Sequence, residues 1–141
     1  MSTQRPKVSA LVSKAHKTAV KIRQRAHSPY SKYKVGATVL TSSGKMFSGC
    51  NIENASYGGT VCAERVAIWK AVSEGETRFQ DIVVVTEGEK LAPPCAFCLQ
   101  VMAEFCGPET RIWVASPRHI ERGYLMGELL PHPFDPSFLD G

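Results

Sequence analysis

The chain has 141 residues, of which 43% are hydrophobic and 21% are charged, and its formal net charge is +4. This composition is that of an ordinary globular protein and excludes disordered and fibrous chains, and no apolar run approaches the roughly 20 residues of a membrane helix. The N-terminus has no apolar core followed by a cleavage site, so we expect a cytoplasmic protein. We expect one domain over residues 1–141, with an N-terminal extension at about 1–10 and a C-terminal tail at about 131–141.

The first third of the chain predicts one helix and one β-hairpin. Apolar residues recur at helical spacing over residues 8–26, with Lys and Arg between them, and a Ser-Pro turn signal follows at 28–29. Residues 34–41 and 45–51 are each predicted to form a strand, and the Ser-Ser-Gly connection between them is typical of a hairpin.

The rest of the chain alternates helices with strands. Residues 81–86 include a continuous apolar run that is typical of a buried central strand. The other predicted elements are helices at 62–72 and 95–105, strands at 111–115 and 120–125, and a helical turn at 127–130. This alternation predicts an α/β protein, with about five strands in one mixed sheet between two helical layers, a three-layer α/β/α sandwich.

Charge is divided unevenly along the chain. Residues 1–52 contain ten Lys or Arg and no acidic residue, whereas residues 53–141 contain seven basic and thirteen acidic residues. Such a division fits a nucleic-acid-binding face, a solvated helix face or opposite surfaces that meet in an oligomer. It also resembles a transit peptide, but the patterned domain has already begun there. We favour a solvated, oligomer-facing surface and do not expect a nucleic-acid partner.

Three cysteines lie at the predicted starts of two helices. Cys62 precedes Glu64 by two residues, and Cys95 and Cys98 form a Cys-x-x-Cys pair. Helix N-termini favour thiolates, and three thiolates can bind Zn²⁺ while leaving a fourth position for water. A carboxylate that is not a ligand, such as Glu64, would then move the protons of that water. The spacing therefore predicts a catalytic zinc site.

Two other interpretations of these cysteines stay open on spacing alone. One is a closed structural zinc site, with Cys50, Cys106 or a histidine as the fourth ligand. The other is a redox-active dithiol, although such a motif normally follows the first strand of its fold. The carboxylate next to the third cysteine favours the catalytic interpretation over both.

The arrangement Cys62-Ala63-Glu64 followed by Pro94-Cys95-Ala96-Phe97-Cys98 matches the signature of zinc deaminases in its three-cysteine form. More specifically, the chain resembles the small homotetrameric cytidine deaminases from about Ala15 to Leu139. The stretches that carry this resemblance are 29–37, 49–55, 62–65, and Leu129-Leu130-Pro131 followed by Phe134. The resemblance implies a cytidine deaminase-like fold.

The resemblance also implies roles at the metal. The ligands of about one Zn²⁺ per chain would be Cys62, Cys95 and Cys98. Glu64 would be the catalytic proton carrier, and Arg65 would hydrogen-bond the thiolates and offset their charge. Gln100 would support the ligands from the same helix, although a surface position is an equally good interpretation of this residue.

Five further residues are implied in substrate binding. Asn51 and Glu53 lie two residues apart in an extended segment, so their side chains face one way, and in the family this pair hydrogen-bonds the sugar hydroxyls. Tyr33 would pack on the nucleoside, the backbone N–H of Ala63 would hold the pyrimidine carbonyl oxygen, and Phe134 would stack on the base in a neighbouring subunit's pocket. Without the resemblance, these positions would be interpreted only as polar strand-end or packing residues.

The implied activity is the hydrolytic deamination of cytidine and 2′-deoxycytidine to the uridine forms, with release of ammonia, in pyrimidine salvage. The implied partners are a nucleoside substrate and three further copies of the chain, which would form a homotetramer with shared active sites. No association with a membrane is expected. The alternatives are a deaminase of another cytosine nucleoside, such as an antibiotic, an RNA or DNA cytosine editor, and a zinc module without activity.

The chain departs from the family pattern around the second cysteine pair. The family usually reads Pro-Cys-Gly-x-Cys-Arg-Gln, whereas this chain has Ala96, Phe97 and Leu99. Leu99 follows Cys95 by one helical turn, so we expect its side chain to lie near the zinc ligands, where an apolar residue would leave Arg65 as the main neutralising charge. The alternative is that Leu99 packs into the core.

Overall fold

The computed structural model describes residues 5–140. Its main elements, in chain order, are α1 (Ala10–Arg23), β1 (Gly36–Thr41), β2 (Met46–Cys50), α2 (Ala63–Ser73), β3 (Phe79–Val85), α3 (Ala96–Phe105), β4 (Arg111–Ala115), β5 (Ile120–Leu125) and α4 (Met126–Leu129). Residues 1–4 of the predicted extension and residue 141 of the predicted tail lie outside the described range. No helix in the described range is long and apolar enough to cross a membrane.

The five strands form one mixed sheet in the order β2-β1-β3-β4-β5. β3 and β4 are parallel, and all other neighbours are antiparallel. Successive residues of a strand point to opposite faces, and β3 shows the two layers: Val83 and Val85 pack with α1, whereas Ile82 and Val84 pack with α2 and α3. The predicted α/β/α sandwich around a mixed five-stranded sheet is therefore confirmed.

Two glycines allow helices to lie directly against this sheet. A Cβ atom at Gly36 in β1 would lie 2.2 Å from the backbone oxygen of Ala19 in α1. A Cβ atom at Gly49 in β2 would lie 2.6 Å from the backbone nitrogen of Ala67 in α2. Because neither position has room for a side chain, the first turns of α2 are held against the end of β2.

The first helix and the first strand each begin two residues later than predicted. The first helix begins only after Ser9, whose hydroxyl accepts a hydrogen bond from the Val12 N–H at 3.1 Å and so caps the helix. The first strand begins at Gly36, because the N–H of Val35 donates to the side chain of Asn51 at 2.8 Å instead of to a neighbouring strand.

Leu99 lies in the hydrophobic core between α3 and the sheet. Its exposed fraction is 8%, and it belongs to the same buried cluster as Ile82, Met102 and Ile112. The structure therefore supports the packing alternative for Leu99, whose side chain is buried in an apolar cluster that also contains Cys98. A helix position one turn from a ligand can face either the ligand or the sheet, and here the sheet side is apolar.

Replacing Leu99 with Arg is therefore expected to destabilise the protein, because a guanidinium would be buried without a partner. Uncompensated buried charges cost about 3 to 5 kcal/mol of unfolding free energy. Chemical denaturation measures this, with Leu99→Met as the matched control, for which a loss below about 1.5 kcal/mol is expected. An Arg variant as stable as the Met variant would show that the side chain reaches solvent or the zinc ligands.

Candidate active site

The three predicted ligand residues lie at the N-termini of two helices. Cys62 is the N-cap residue of α2 and Cys95 is that of α3, and Cys98 lies in the first turn of α3. Their sulfur atoms all lie within 4.8 Å of one another. Both helices pack on the same face of the sheet. This packing brings residues 33 positions apart in the sequence into one cluster.

The chemistry of the three sulfur atoms fits Zn²⁺. A hydrogen bond from Cys98, together with the nearby Arg65 guanidinium, lowers the pKa of Cys62 to about 5. The same hydrogen bond and burial raise the pKa of Cys98. In the part of the chain that the structure describes, the cluster has three members, which is the number that an open catalytic site needs. Cys62, Cys95 and Cys98 are therefore positioned to bind a metal ion.

Glu64 lies in the first turn of α2, two residues after Cys62. Its exposed fraction is 5%, and burial raises the pKa of its carboxyl to about 7. A carboxyl group with this pKa can both accept and donate a proton near neutral pH, which is the property of a general acid–base catalyst.

A cavity of about 310 Å³ opens beside these residues. The predicted residues that line it are Tyr33, Asn51, Glu53, Cys62, Ala63, Glu64 and Cys95. The other lining residues are Ser31, Val35, Thr60, Val61, Val84, Thr86, Ala92 and Pro93. Thr86 follows the last residue of β3, and ligands of α/β proteins commonly bind at the carboxyl ends of parallel strands. Its position could therefore have been predicted, whereas Thr60 and Ala92 lie in loops without such a signal.

Asn51 fixes the wall of the cavity. Its side chain is buried, accepts a hydrogen bond from the Val35 N–H at 2.8 Å and donates one to the Tyr33 carbonyl at 2.8 Å. Asn51 thus holds the backbone on either side of residue 34 in place. Its own position beside the cavity is determined by these two contacts.

Glu53 presents a carboxylate on the same side of the cavity. It accepts hydrogen bonds from the backbone N–H groups of Tyr30 and Ser31, at 3.0 and 3.1 Å, and from the Ser31 hydroxyl. The hydroxyl contact contributes most to lowering the pKa of Glu53. Glu53 is therefore an ionised, fixed acceptor at the cavity.

The guanidinium of Arg65 lies beside the cluster. Its Nη2 donates to the sulfur of Cys62 at 3.5 Å. This contact places a positive charge next to the sulfur with the lowered pKa, as the resemblance implies.

Gln100 and Phe134 lie together, away from the cavity lining. The side-chain amide of Gln100 donates to the Phe134 carbonyl at 2.8 Å, so its contact is with the C-terminal tail and not with a cysteine. The ring of Phe134 is more than half exposed and stacks on Phe138, with ring centroids 5.6 Å apart. The structure thus brings nine of the eleven predicted site residues to the cluster and cavity. The other two are Phe134 on the tail and Gln100 on α3, whose side chain contacts the tail.

Residues 10–114 match the family model described as the cytidine and deoxycytidylate deaminase zinc-binding region. A cytidine deaminase of Halalkalibacterium halodurans is 43% identical over 84% of this chain and 89% of its own length. One from Sporosarcina psychrophila is 41% identical over 81% and 84% of the two chains.

Solved structures agree with these sequence relatives. The crystal structure of cytidine deaminase from Burkholderia pseudomallei has a TM-score of 0.82 and 38% identity, over 90% of this chain and all of that one. The enzyme from Mycobacterium tuberculosis has a TM-score of 0.78 and 33% identity, over 92% and 99% of the two chains. With a matched family model across most of its length and a three-cysteine cluster at the expected positions, this chain belongs to the family of zinc-dependent cytidine and deoxycytidylate deaminases.

Proposed function

We propose that this protein hydrolyses cytidine and 2′-deoxycytidine to uridine and 2′-deoxyuridine, with release of ammonia, in pyrimidine salvage. The observation that carries this proposal is that the buried carboxyl of Glu64 and the three-cysteine cluster lie at one cavity. Relatives more than 40% identical to this chain are named cytidine deaminases.

The proposed mechanism assigns proton transfer to Glu64. Cys62, Cys95 and Cys98 would hold a zinc ion, which would lower the pKa of a water molecule to near neutral. Glu64 accepts a proton as the water oxygen bonds to C4 of the base, and passes that proton to N3. It then accepts the remaining proton from the new hydroxyl on C4 and delivers it to the amino nitrogen, so that the C4–N4 bond breaks, the C4 carbonyl forms and ammonia leaves. A pKa of about 7 suits both directions of transfer.

The cavity wall supplies the contacts that orient the nucleoside. We assign the sugar hydroxyls to Asn51 and to the ionised carboxylate of Glu53, which lie on the same side of the cavity. Ala63 is the first residue of α2, where backbone N–H groups have no partner within the helix and can bind the pyrimidine carbonyl oxygen. Tyr33 contributes an aromatic surface for the nucleoside.

A substrate comparison tests this proposal against a deaminase of another cytosine nucleoside and against an RNA or DNA cytosine editor. Purified protein is incubated with cytidine, 2′-deoxycytidine, a cytosine nucleoside antibiotic and a cytosine-containing oligonucleotide, and each product is measured. We expect rapid turnover of the first two, because a cavity of about 310 Å³ matches the size of a small-molecule site. Turnover confined to the antibiotic, or of the oligonucleotide in preference to the free nucleosides, would contradict the proposal.

The exposed cations of α1 also bear on the editor alternative. Lys14, Lys17 and Lys21 are exposed on the side of the helix away from the sheet, and Arg25 follows them. We propose that this stripe is a solvated or oligomer-facing surface. Oligonucleotide binding that is micromolar or tighter near physiological salt, and that cytidine displaces, would favour the editor instead.

We further propose that the domain extends over the whole chain, works in the cytoplasm and assembles as a homotetramer with shared active sites. A reducing compartment keeps thiols free for metal binding, which supports the location. The tail supports the assembly, since it presents an exposed apolar cluster of Phe134, Phe138 and Leu139 that does not line its own cavity. Exposed clusters of this kind are typical of sites that bind another protein surface.

Replacing Phe134 with Ala is expected to raise KM for cytidine about 5- to 160-fold, because base–aromatic stacking contributes about 1 to 3 kcal/mol. Steady-state kinetics measure the change. Phe138→Ala is the matched control, as it removes the stacked neighbour but leaves Phe134 in place.

Mixed assemblies test whether Phe134 acts in a neighbouring subunit. Chains with Glu64→Gln and chains with Phe134→Ala are combined under conditions in which subunit exchange is demonstrated. We expect low-KM activity to return, because some sites would then combine an intact Glu64 with an intact Phe134. No return of activity would place Phe134 in its own subunit's cavity or outside every cavity.

A further inference from the structure

Phe97 lies between the two cysteines of the Cys-x-x-Cys pair, and most of its surface is exposed. Its ring faces the guanidinium of Arg65, with the central carbon 4.2 Å from the ring centroid. The ring of Trp69, one turn along α2, lies farther from the same carbon, at 5.9 Å. A cation at 4.2 Å over an aromatic face is within the range in which the two attract.

The guanidinium of Arg65 has sulfur atoms, and no oxygen among the described residues, as its side-chain hydrogen-bond acceptors. Its Nη2 donates to the sulfur of Cys62 at 3.5 Å, and the sulfur of Cys98 is a second hydrogen-bonding neighbour of the guanidinium. The Nε of Arg65 is buried and has no hydrogen-bond partner among the described residues. A planar group with five N–H donors is normally fixed by several oxygen acceptors. In this protein, the contact with the ring of Phe97 restricts the guanidinium in place of such acceptors.

The contact between Phe97 and Arg65 affects the charge balance of the three-cysteine cluster. A zinc ion with three thiolates has a formal charge of −1, and a nearby cation offsets it. The position where the family usually places a second Arg is held by Leu99, which is buried in the core. Arg65 therefore carries this compensation, and a ring that covers its guanidinium keeps water away and strengthens the attraction to sulfur.

We propose that Phe97 is a positioning residue that holds Arg65 against the sulfur of Cys62 and so slows the loss of zinc. This inference rests on the proposed zinc site but not on the identity of the substrate. It assigns a role to a residue that is not a member of the three-cysteine cluster and does not line the nucleoside cavity.

The test is the rate at which the zinc-loaded protein transfers its metal to a chromophoric chelator. We expect Phe97→Ala to release zinc about 3- to 30-fold faster, which is the range expected for loss of one cation–aromatic contact. Phe97→Tyr keeps the ring and is expected to release zinc at the parent rate. Phe97→Leu keeps apolar bulk without the ring, and its rate is expected to lie near that of the Ala variant.

Two comparisons decide whether the effect passes through Arg65. In an Arg65→Ala background, Phe97→Ala is expected to change the release rate less than twofold. Trp69→Leu, which removes the more distant ring, is expected to have a smaller effect than Phe97→Leu. An equal acceleration in both backgrounds, as general loosening or a lost subunit contact would give, overturns the proposal. So does a Leu variant that behaves like the parent.

The readout also separates this inference from the proposed activity. Zinc release is measured without any nucleoside. If no cytosine nucleoside is deaminated but the Phe97 series behaves as expected, the proposed substrate is wrong and the positioning role stands. If deamination is normal and the Phe97 series shows no effect, the positioning role alone is wrong.

Discussion

Replacing Glu64 with Gln is expected to lower kcat for cytidine by about 10²- to 10⁴-fold, the range that general acid–base catalysis contributes. The amide has nearly the same shape as the buried carboxyl but can neither accept the proton of water nor donate one to the leaving amine. Steady-state kinetics, circular dichroism and metal analysis together measure the effect. Fold and zinc content are expected to be unchanged.

Glu104→Gln is the matched control for this substitution. Glu104 is an exposed residue of α3, so the same chemical change there is expected to leave kcat unaltered. If the Glu64 variant retains a tenth or more of the parent rate, another group transfers the protons. A variant that has lost its zinc would instead show that Glu64 supports the metal site, and the kinetic comparison would then need the metal-loaded form.

Replacing Cys62, Cys95 or Cys98 with Ala is expected to reduce the zinc content from about one ion per chain to nearly none. Each substitution leaves two thiolates, and the three sulfur atoms lie within 4.8 Å of one another, where each can bind the same ion. Metal analysis after dialysis against a weak chelator measures the loss.

Cys50 and Cys106 provide the matched controls. Both lie outside the three-sulfur cluster, and burial raises the pKa of the Cys106 thiol to about 12, so it stays protonated. Cys50→Ala and Cys106→Ala are therefore expected to keep full zinc content. Complete loss of zinc from either one would indicate a closed four-ligand site and would remove the open position that the proposed reaction needs.

The sequence predicted the order of elements because its local signals were strong. The predicted helix starts at 62 and 95 agree with the observed α2 and α3 to within one residue, as both N-cap residues are cysteines of the motif. The first strand was predicted two residues too long, because the pattern of side chains cannot show that Asn51 takes the N–H of Val35. Local periodicity determines an element's type better than its ends.

The site residues that could be predicted are those that lie within short continuous sequence motifs. Spacing alone pointed to Glu64 and the three cysteines, although it left a structural zinc site and a redox dithiol open, and the structure places their helices side by side. The contact of Gln100 with the Phe134 carbonyl was not predictable, since the two residues are 34 positions apart and only the path of the tail joins them. The burial of the Leu99 side chain could not be predicted either, because it depends on which side of α3 faces the sheet.

Cys62 and Cys95 lie at the N-termini of α2 and α3, so a metal ion bound to both connects the two helices. The supply of zinc is therefore expected to affect the stability of the folded protein. An ion held between these residues fastens two helices of the same layer to each other, so it binds the folded chain in preference to the unfolded one. The free energy of unfolding then rises by about 1.4 kcal/mol for each tenfold increase of free zinc above the dissociation constant. In a cell short of zinc, a larger fraction of the chain is therefore expected to be unfolded and open to proteolysis, in addition to lacking the metal at its active site.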